Sequence, residues 1–293
     1  MKPFVLGALI CGVLAIGIVL FVVFDKPTPE IVTVQPVEVS KRILSTQQII
    51  GKSVEGRAIT AYTYGTGKTH LIFVGGIHGG YEWNSVLLSY VFIDYLEKNP
   101  TVVSSDVSIS IIPSLNPDGV YKVVGKEGRF LATDVATDPD IVASARFNAH
   151  DVDLNRNFDC NWQPKSMWRS KKVSAGTAPF SEPEARAFQS FILKNKPEAV
   201  IFWHSQSNAV YASECNAGIL PGTLDIMNAY SSGSKYPAVK SFTAYKITGD
   251  AEGWLASITI PAITVELATH ESVEWERNLA GIKAVLEYYK KIN

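Results

Sequence analysis

Cysteine is scarce in this chain. There are three, Cys11, Cys160 and Cys215, and no two have zinc-finger spacing. An excess of either charge is also missing. With 27 Lys and Arg against 28 Asp and Glu, the net charge is −1, so nothing argues for a general affinity for nucleic acid or an anionic surface. No internal repeat or low-complexity tract interrupts a composition ordinary for a globular protein, 46% apolar and 19% charged. At 293 residues the chain is long enough for one large domain or two small ones.

One local absence is informative. From Phe4 through Phe24 there is neither a charge nor a proline (FVLGALICGVLAIGIVLFVVF). About 20 apolar residues cross a bilayer as a helix, and the run exceeds the ~7–15-residue core of a cleaved signal peptide. No small-x-small site follows, and Cys11 is preceded by Ile10 instead of the small residue of a lipoprotein site. Residues 1–26 therefore read as one N-terminal transmembrane helix, an uncleaved anchor, with the remainder extracytoplasmic. A cleaved signal peptide would give the same compartment. Residues 27–40 are proline-rich and read as a tether. Residues 41–293 form the globular part.

Within it, Arg42 to Ile50 is expected to be a short helix. Ala58–Tyr64, Leu71–Val74, Val107–Ile112, Ala199–Trp203 and Ile263–Leu267 are expected strands, from their apolar and β-branched content. Asn84–Lys98, a segment opened by Ser181-Glu182-Pro183-Glu184, and Trp275–Tyr289 are expected helices. Lys122 to Asp151 has little periodicity and is expected to be a long loop carrying function. Alternating strands and helices imply an α/β sheet covered on both faces. In such sheets sites lie beyond the carboxyl ends of the strands.

Polar residues gather at those ends. Leu71–Val74 runs into Gly75-Gly76-Ile77-His78-Gly79-Gly80-Tyr81-Glu82, and Ala199–Trp203 runs into His204. Two His and a carboxylate are ligands for a catalytic zinc, which leaves one coordination position open. Glu266 is a lone acid at the end of an apolar strand, where desolvation would raise its pKa and suit it to act as a general base.

The most specific stretch is Asp151-Val152-Asp153-Leu154-Asn155-Arg156-Asn157-Phe158. Taken with the His/Glu stretch, GKSVEGRAI, NPDG, PFSEPE, the strand ending in His204, and Tyr245 through Glu266, it resembles the zinc carboxypeptidases, the family of pancreatic carboxypeptidases A and B. The resemblance covers roughly residues 51 to 290. It implies a mixed, mostly parallel sheet of eight strands with helices on both faces. It also implies one Zn2+ per chain held by His78, Glu82 and His204, with Glu266 as base.

In the same resemblance Asn155 and Arg156 hold the substrate's terminal carboxylate, a planar guanidinium being suited to bidentate binding. Tyr245 closes over bound substrate. Arg146 is the candidate to stabilise the oxyanion, with Arg129 the runner-up. Glu252 falls where the family selects side chains, and an acid there would suit a terminal Lys, Arg or diaminopimelate; the other reading is a helix-start acid outside the pocket. Cys160 and Cys215 border the implied site and are expected to form a disulfide. His70, His150 and His270 have no matching role.

The family usually places two residues between His and Glu. Here there are three, and the glycines are expected to absorb the extra one. The implied activity is carboxyl-terminal hydrolysis of peptides, including cell-wall peptides, by a membrane-tethered monomer that binds no nucleic acid. The rival readings are an N-acyl amino acid deacylase of the succinylglutamate desuccinylase and aspartoacylase branch, and a non-catalytic peptide-binding module.

Overall fold

The computed structural model describes residues 45–292. The implied transmembrane helix and tether lie outside the described residues. Among the described residues no helix is long and apolar enough to cross a membrane.

In chain order the elements are β1 (Ser45–Lys52), β2 (Ala58–Tyr64), β3 (Thr69–Val74), α1 (Trp83–Lys98), β4 (Val107–Ile112), α2 (Pro117–Val124), α3 (Pro139–Ser144), β5 (Lys165–Trp168), β6 (Lys171–Ser174), α4 (Pro183–Asn195), β7 (Ala199–Ser205), β8 (Ala209–Ala212), α5 (Pro221–Ser234), β9 (Ala238–Val239), α6 (Ala251–Ser257), β10 (Ala262–Leu267) and α7 (Trp275–Ile292). Eight strands make one sheet in the order β1-β2-β4-β3-β7-β10-β8-β9, and β5 and β6 form a separate hairpin. The centre of the sheet, β4-β3-β7-β10, is parallel; β1-β2, β2-β4 and β10-β8 are antiparallel. The sheet is therefore mixed, as the resemblance implies.

Alternation along the central strands feeds two cores. Leu71, Phe73, Ile109, Ile111, Ile201 and Trp203 point to the face covered by α1, α5 and α7. Ile72, Val74, Ile112, Val200 and Phe202 point to the other, against α4 and α6. Both faces of these strands are buried, so their sequence is continuously apolar and not alternating. Phe73 stacks on Trp203 at 5.3 Å between ring centroids, and Phe92 of α1 meets Phe73 edge-on at 5.1 Å. Trp203 Nε1 donates to the buried Tyr230 hydroxyl (3.1 Å), which donates to Asn278 Oδ1 (2.7 Å). That chain ties β7 to α5 and α7.

Two expectations are corrected. The short helix over Arg42–Ile50 is instead β1 across its described part, because Ser45–Lys52 pairs antiparallel with β2 at the sheet edge. Its side chains are mostly exposed, so no helical stripe is buried and edge pairing satisfies the backbone. The long loop over Lys122–Asp151 contains the end of α2 and all of α3, the latter capped by Asp138, whose carboxylate accepts from the Asp140 and Ile141 amides. The structure also joins Cys160 to Cys215, linking the loop after Phe158 to the loop after β8.

Phe92→Ala removes a fully buried ring packed against Phe73 and Trp203. It is expected to cost about 3–5 kcal/mol of stability, read as a lowered urea unfolding midpoint.

Candidate metal centre and its cleft

His78 follows β3, His204 is the penultimate residue of β7, and Glu266 is the penultimate residue of β10. In the β7–β10 pairing Glu266 sits directly opposite His204, so register alone places the two side by side. Glu82 is brought to them by a single 3-10 turn over Gly79–Glu82. Gly79 has φ +50°, and a Cβ there would lie 2.5 Å from the Ala145 carbonyl oxygen. The extra residue between His78 and Glu82 is thus taken up in a left-handed turn that only glycine fits easily.

The three side chains converge. His78 Nδ1 is 2.8 Å from Glu82 Oε1, His204 Nδ1 is 3.0 Å from Glu82 Oε2, and the two Nδ1 atoms are 3.1 Å apart. All three residues are buried. Each ring has a carboxylate behind it. His204 Nε2 is 3.0 Å from Glu252 Oε1, and His78 Nε2 is 3.6 Å from Asp153 Oδ1. A proton on each Nε2, facing its carboxylate, leaves both Nδ1 lone pairs aimed at one point beside Glu82. Two imidazole acceptors and a carboxylate meeting out of water call for a cation, and the set fits zinc.

The electrostatics follow from burial and neighbours. Burial and then the Arg146 charge lower His78 to about 4, keeping it neutral. Burial also works against a charge on His204, but Glu82 and Glu252 outweigh it and raise its pKa. Glu82 is held well below its ordinary value because the two His outweigh its desolvation. Asp153, buried like Glu82, is brought down to about 2 by Arg146 and Arg156. Glu266 moves the other way, to about 7, through burial and then the Glu82 charge. Its Oε2 is out of water without a hydrogen-bond partner.

Arg146 is buried in the cleft wall and bonded to Asp153 Oδ2 through Nε (2.9 Å) and Nη2 (2.8 Å). Its Nη1 lies 3.8 Å from Glu82 Oε1, and Trp168 lies beneath its guanidinium. Arg129 instead pairs with Asp94 on the outer side of α1 and does not line the cleft.

Asn155 Oδ1 accepts from the Ala251 amide at 2.8 Å. Arg156 is committed to backbone carbonyls, donating to Met167 through Nε (3.1 Å) and Nη2 (2.9 Å) and to Asn155 through Nη1 (2.5 Å). Both line the cleft, as does Tyr245, whose ring packs edge-on against Phe242 in the segment between β9 and α6. Glu252 lines it too, but Oε1 already accepts from Thr264 Oγ1 (3.0 Å) besides holding His204. His270 Nδ1 meets Ser205 Oγ at 2.6 Å, next to a proposed ligand; His70 bonds Ser110 and His150 bonds Glu182, both away from the cleft. The cleft measures about 860 Å³.

Comparison with known proteins agrees with this chemistry. A family model described as zinc carboxypeptidase matches residues 35–276. This chain belongs to that family. As a zinc carboxypeptidase it is 23% identical over 242 residues to gamma-D-glutamyl-L-diamino acid endopeptidase 1 of Lysinibacillus sphaericus, covering 75% of this chain and 60% of that protein. The chain spans 60% or less of the first curated relatives it matches. Its fold is that of murein-tripeptide amidase MpaA from Escherichia coli O157, with TM-score 0.58, 21% identity, and 82% and 91% of the two chains covered. Bovine thrombin-activatable fibrinolysis inhibitor gives TM-score 0.65, 19% identity, and coverage of 85% and 92%.

Sequence reasoning missed Asp153 as the partner shared by Arg146 and His78, although it sits inside the most specific motif. It also missed the β5–β6 hairpin, whose Trp168 closes one wall.

Gly79→Ala is expected to weaken zinc retention on the order of tenfold, the scale of a strained backbone position, measured by competition with a chelator. Wild-type retention would mean that Glu82 is placed without this turn.

Proposed function

We propose that the protein is a membrane-tethered, extracytoplasmic zinc metallocarboxypeptidase, acting as a monomer on the carboxyl ends of peptides. The observation that carries the catalytic reading is the meeting of His78 Nδ1, His204 Nδ1 and the Glu82 carboxylate, with Glu266 in register beside them. Support for tethering comes from the charge-free run Phe4 through Phe24, with residues 1–26 as anchor, 27–40 as tether and 41–293 as catalytic domain. The Cys160–Cys215 disulfide suits an oxidising compartment.

His78, Glu82 and His204 would hold the zinc, and Asp153 and Glu252 would fix the two rings. When bound, the ion supplies Lewis-acid activation of water and of the scissile carbonyl. Asn155 and Arg156 take the substrate's terminal carboxylate and set the peptide's direction. Arg156 is already oriented by Met167 and Asn155, so little side-chain freedom is lost on binding. Glu266, poised near neutrality, accepts a proton from the attacking water and returns it to the leaving amine. Arg146 sets a fixed positive charge beside the reacting carbonyl, where the oxyanion develops. Tyr245 closes over the bound residue.

For the departing residue we propose a side chain bearing an amine, such as Lys, Arg or diaminopimelate. Glu252 and Asp250 both line the cleft. A substrate amine would join a carboxylate that already holds His204, so side-chain choice and ligand orientation are coupled. Relatives named for murein tripeptide and for a gamma-D-glutamyl-L-diamino acid bond favour a cell-wall peptide.

The purified protein is expected to bind about one zinc per chain, and Glu266→Gln to keep the zinc while losing turnover at least about 100-fold. A zinc-free protein, or an active Glu266→Gln, removes this mechanism. Glu266 works deprotonated, so kcat/KM falls as pH drops through its pKa. That value is about 7 from the protein alone, and a divalent ion beside it lowers it further, putting the acid limb at or below pH 7.

Glu252→Gln is expected to reduce the preference for Lys-ended over Phe-ended peptides and to weaken zinc affinity on the order of tenfold. Mass-spectrometric scoring of peptides beside N-acyl amino acids checks the substrate class. Cleavage of the acyl amino acids alone would identify a deacylase instead, and zinc binding without any turnover a binding module.

A further inference from the structure

The β5–β6 hairpin carries a charge pattern that the proposed mechanism does not use. Residues 160–181 contain no Asp or Glu, yet hold Lys165, Arg169, Lys171 and Lys172, in a chain whose net charge is only −1. The hairpin is fastened to the site at three places. The Met167 carbonyl accepts from Arg156, Ser166 Oγ bonds Thr248 Oγ1 at 2.8 Å, and Trp168 packs edge-on against Tyr81 at 5.1 Å. It is a fixed rim.

Register sorts its cations. Trp168 pairs with Lys171, and Ser166 with Val173, so Lys171 shares the inward face with the buried Trp168, Ser166 and Val173. Its Nζ lies 5.8 Å from the Trp168 ring. Lys165 and Lys172 belong to the alternate, outer face. Arg169, at the two-residue turn, has φ +55° and lines the cleft with Ser170. Lys246 lines the cleft as well.

Arg146 and Arg156 are bound to Asp153 and to backbone carbonyls, whereas no ion pair engages Arg169, Lys171 or Lys246 among the described residues, even though Glu214 shares the cleft.

We propose that Arg169 and Lys171, with Lys246, form a second anion subsite at the cleft mouth, which takes a carboxylate carried by the substrate in addition to its chain-terminal one. The inference rests on the peptidase reading above. The lining also says where that carboxylate lies. Glu252 and Asp250 line the proposed side-chain pocket and would repel an acidic terminal side chain, so the second carboxylate belongs to a residue upstream of the scissile bond. The substrate class is then a peptide with an acidic residue preceding an amine-bearing end.

The test uses the full zinc-loaded protein and acetylated peptides ending in Glu-Lys, Gln-Lys, Lys-Glu and Lys-Gln. Wild type is expected to favour Glu-Lys over Gln-Lys on the order of five- to tenfold in kcat/KM at low salt, with the ratio shrinking in 0.5 M NaCl, the behaviour of partly exposed charge pairs. Lys-Glu gains nothing over Lys-Gln. R169Q/K171Q brings the Glu-Lys to Gln-Lys ratio toward one, while K165Q/K172Q removes the same charge from the outer face and leaves the ratio intact. Calorimetric titration of these peptides into zinc-loaded E266Q gives the same ratios as affinities, independent of turnover. A wild-type ratio near one, or equal loss in both double variants, overturns the subsite and leaves the peptidase reading standing. Failure to bind or cleave any of the four peptides overturns both.

Discussion

Charge buried at the ends of three strands has to be balanced residue by residue, and this balance governs the whole cleft. Asp153 is the pivot. One of its oxygens takes both Nε and Nη2 of Arg146, and the other faces His78 and accepts the Asn155 amide. A buried carboxylate without such partners would protonate or unfold its surroundings. The same acid therefore orients a proposed metal ligand, holds the proposed oxyanion cation, and anchors the turn that presents Asn155 and Arg156. Glu252 plays the matching part for His204, so both imidazoles are fixed from behind before any ion arrives.

Much of this was legible in the chain. β2 and β4 fall where apolar and β-branched content puts them, and β3, β7 and β10 begin or end within two residues of expectation. The central strands are apolar on both faces, and that signal is hard to mistake. His78, His204 and Glu266 could be picked out because each follows or ends such a run.

The rest depended on contacts that local sequence does not encode. β1 carries no clear strand signal, because its edge position leaves it exposed and without a period. β5 and β6 are four residues each, rich in lysine, and held by Met167–Arg156 and Trp168–Tyr81 contacts formed only in the folded state. The sequence offers Glu252 two places, the side-chain pocket or a helix start, and neither includes His204. Its bond to His204 spans 48 residues and needs α6 packed beside β7. The displaced spacing of Glu82 was legible as a problem, and its solution, a left-handed Gly79, was legible only as a glycine.

The pairing of β7 with β10 has a consequence for how this protein's relatives could diverge. Neighbouring strands are held about 4.8 Å apart by their backbone hydrogen bonds, and the register fixes Glu266 against His204 along the strand direction. Sliding either strand by one residue would turn its own side chain to the opposite face of the sheet, away from the other. The Glu266–His204 pair is thus locked into an arrangement that tolerates no gradual adjustment. Variation is left to side chains that this register does not fix: Lys165 and Lys172 on the outer face of the hairpin, and the cleft-lining residues between β9 and α6, can change in charge while the Met167–Arg156 and Trp168–Tyr81 contacts stay in place.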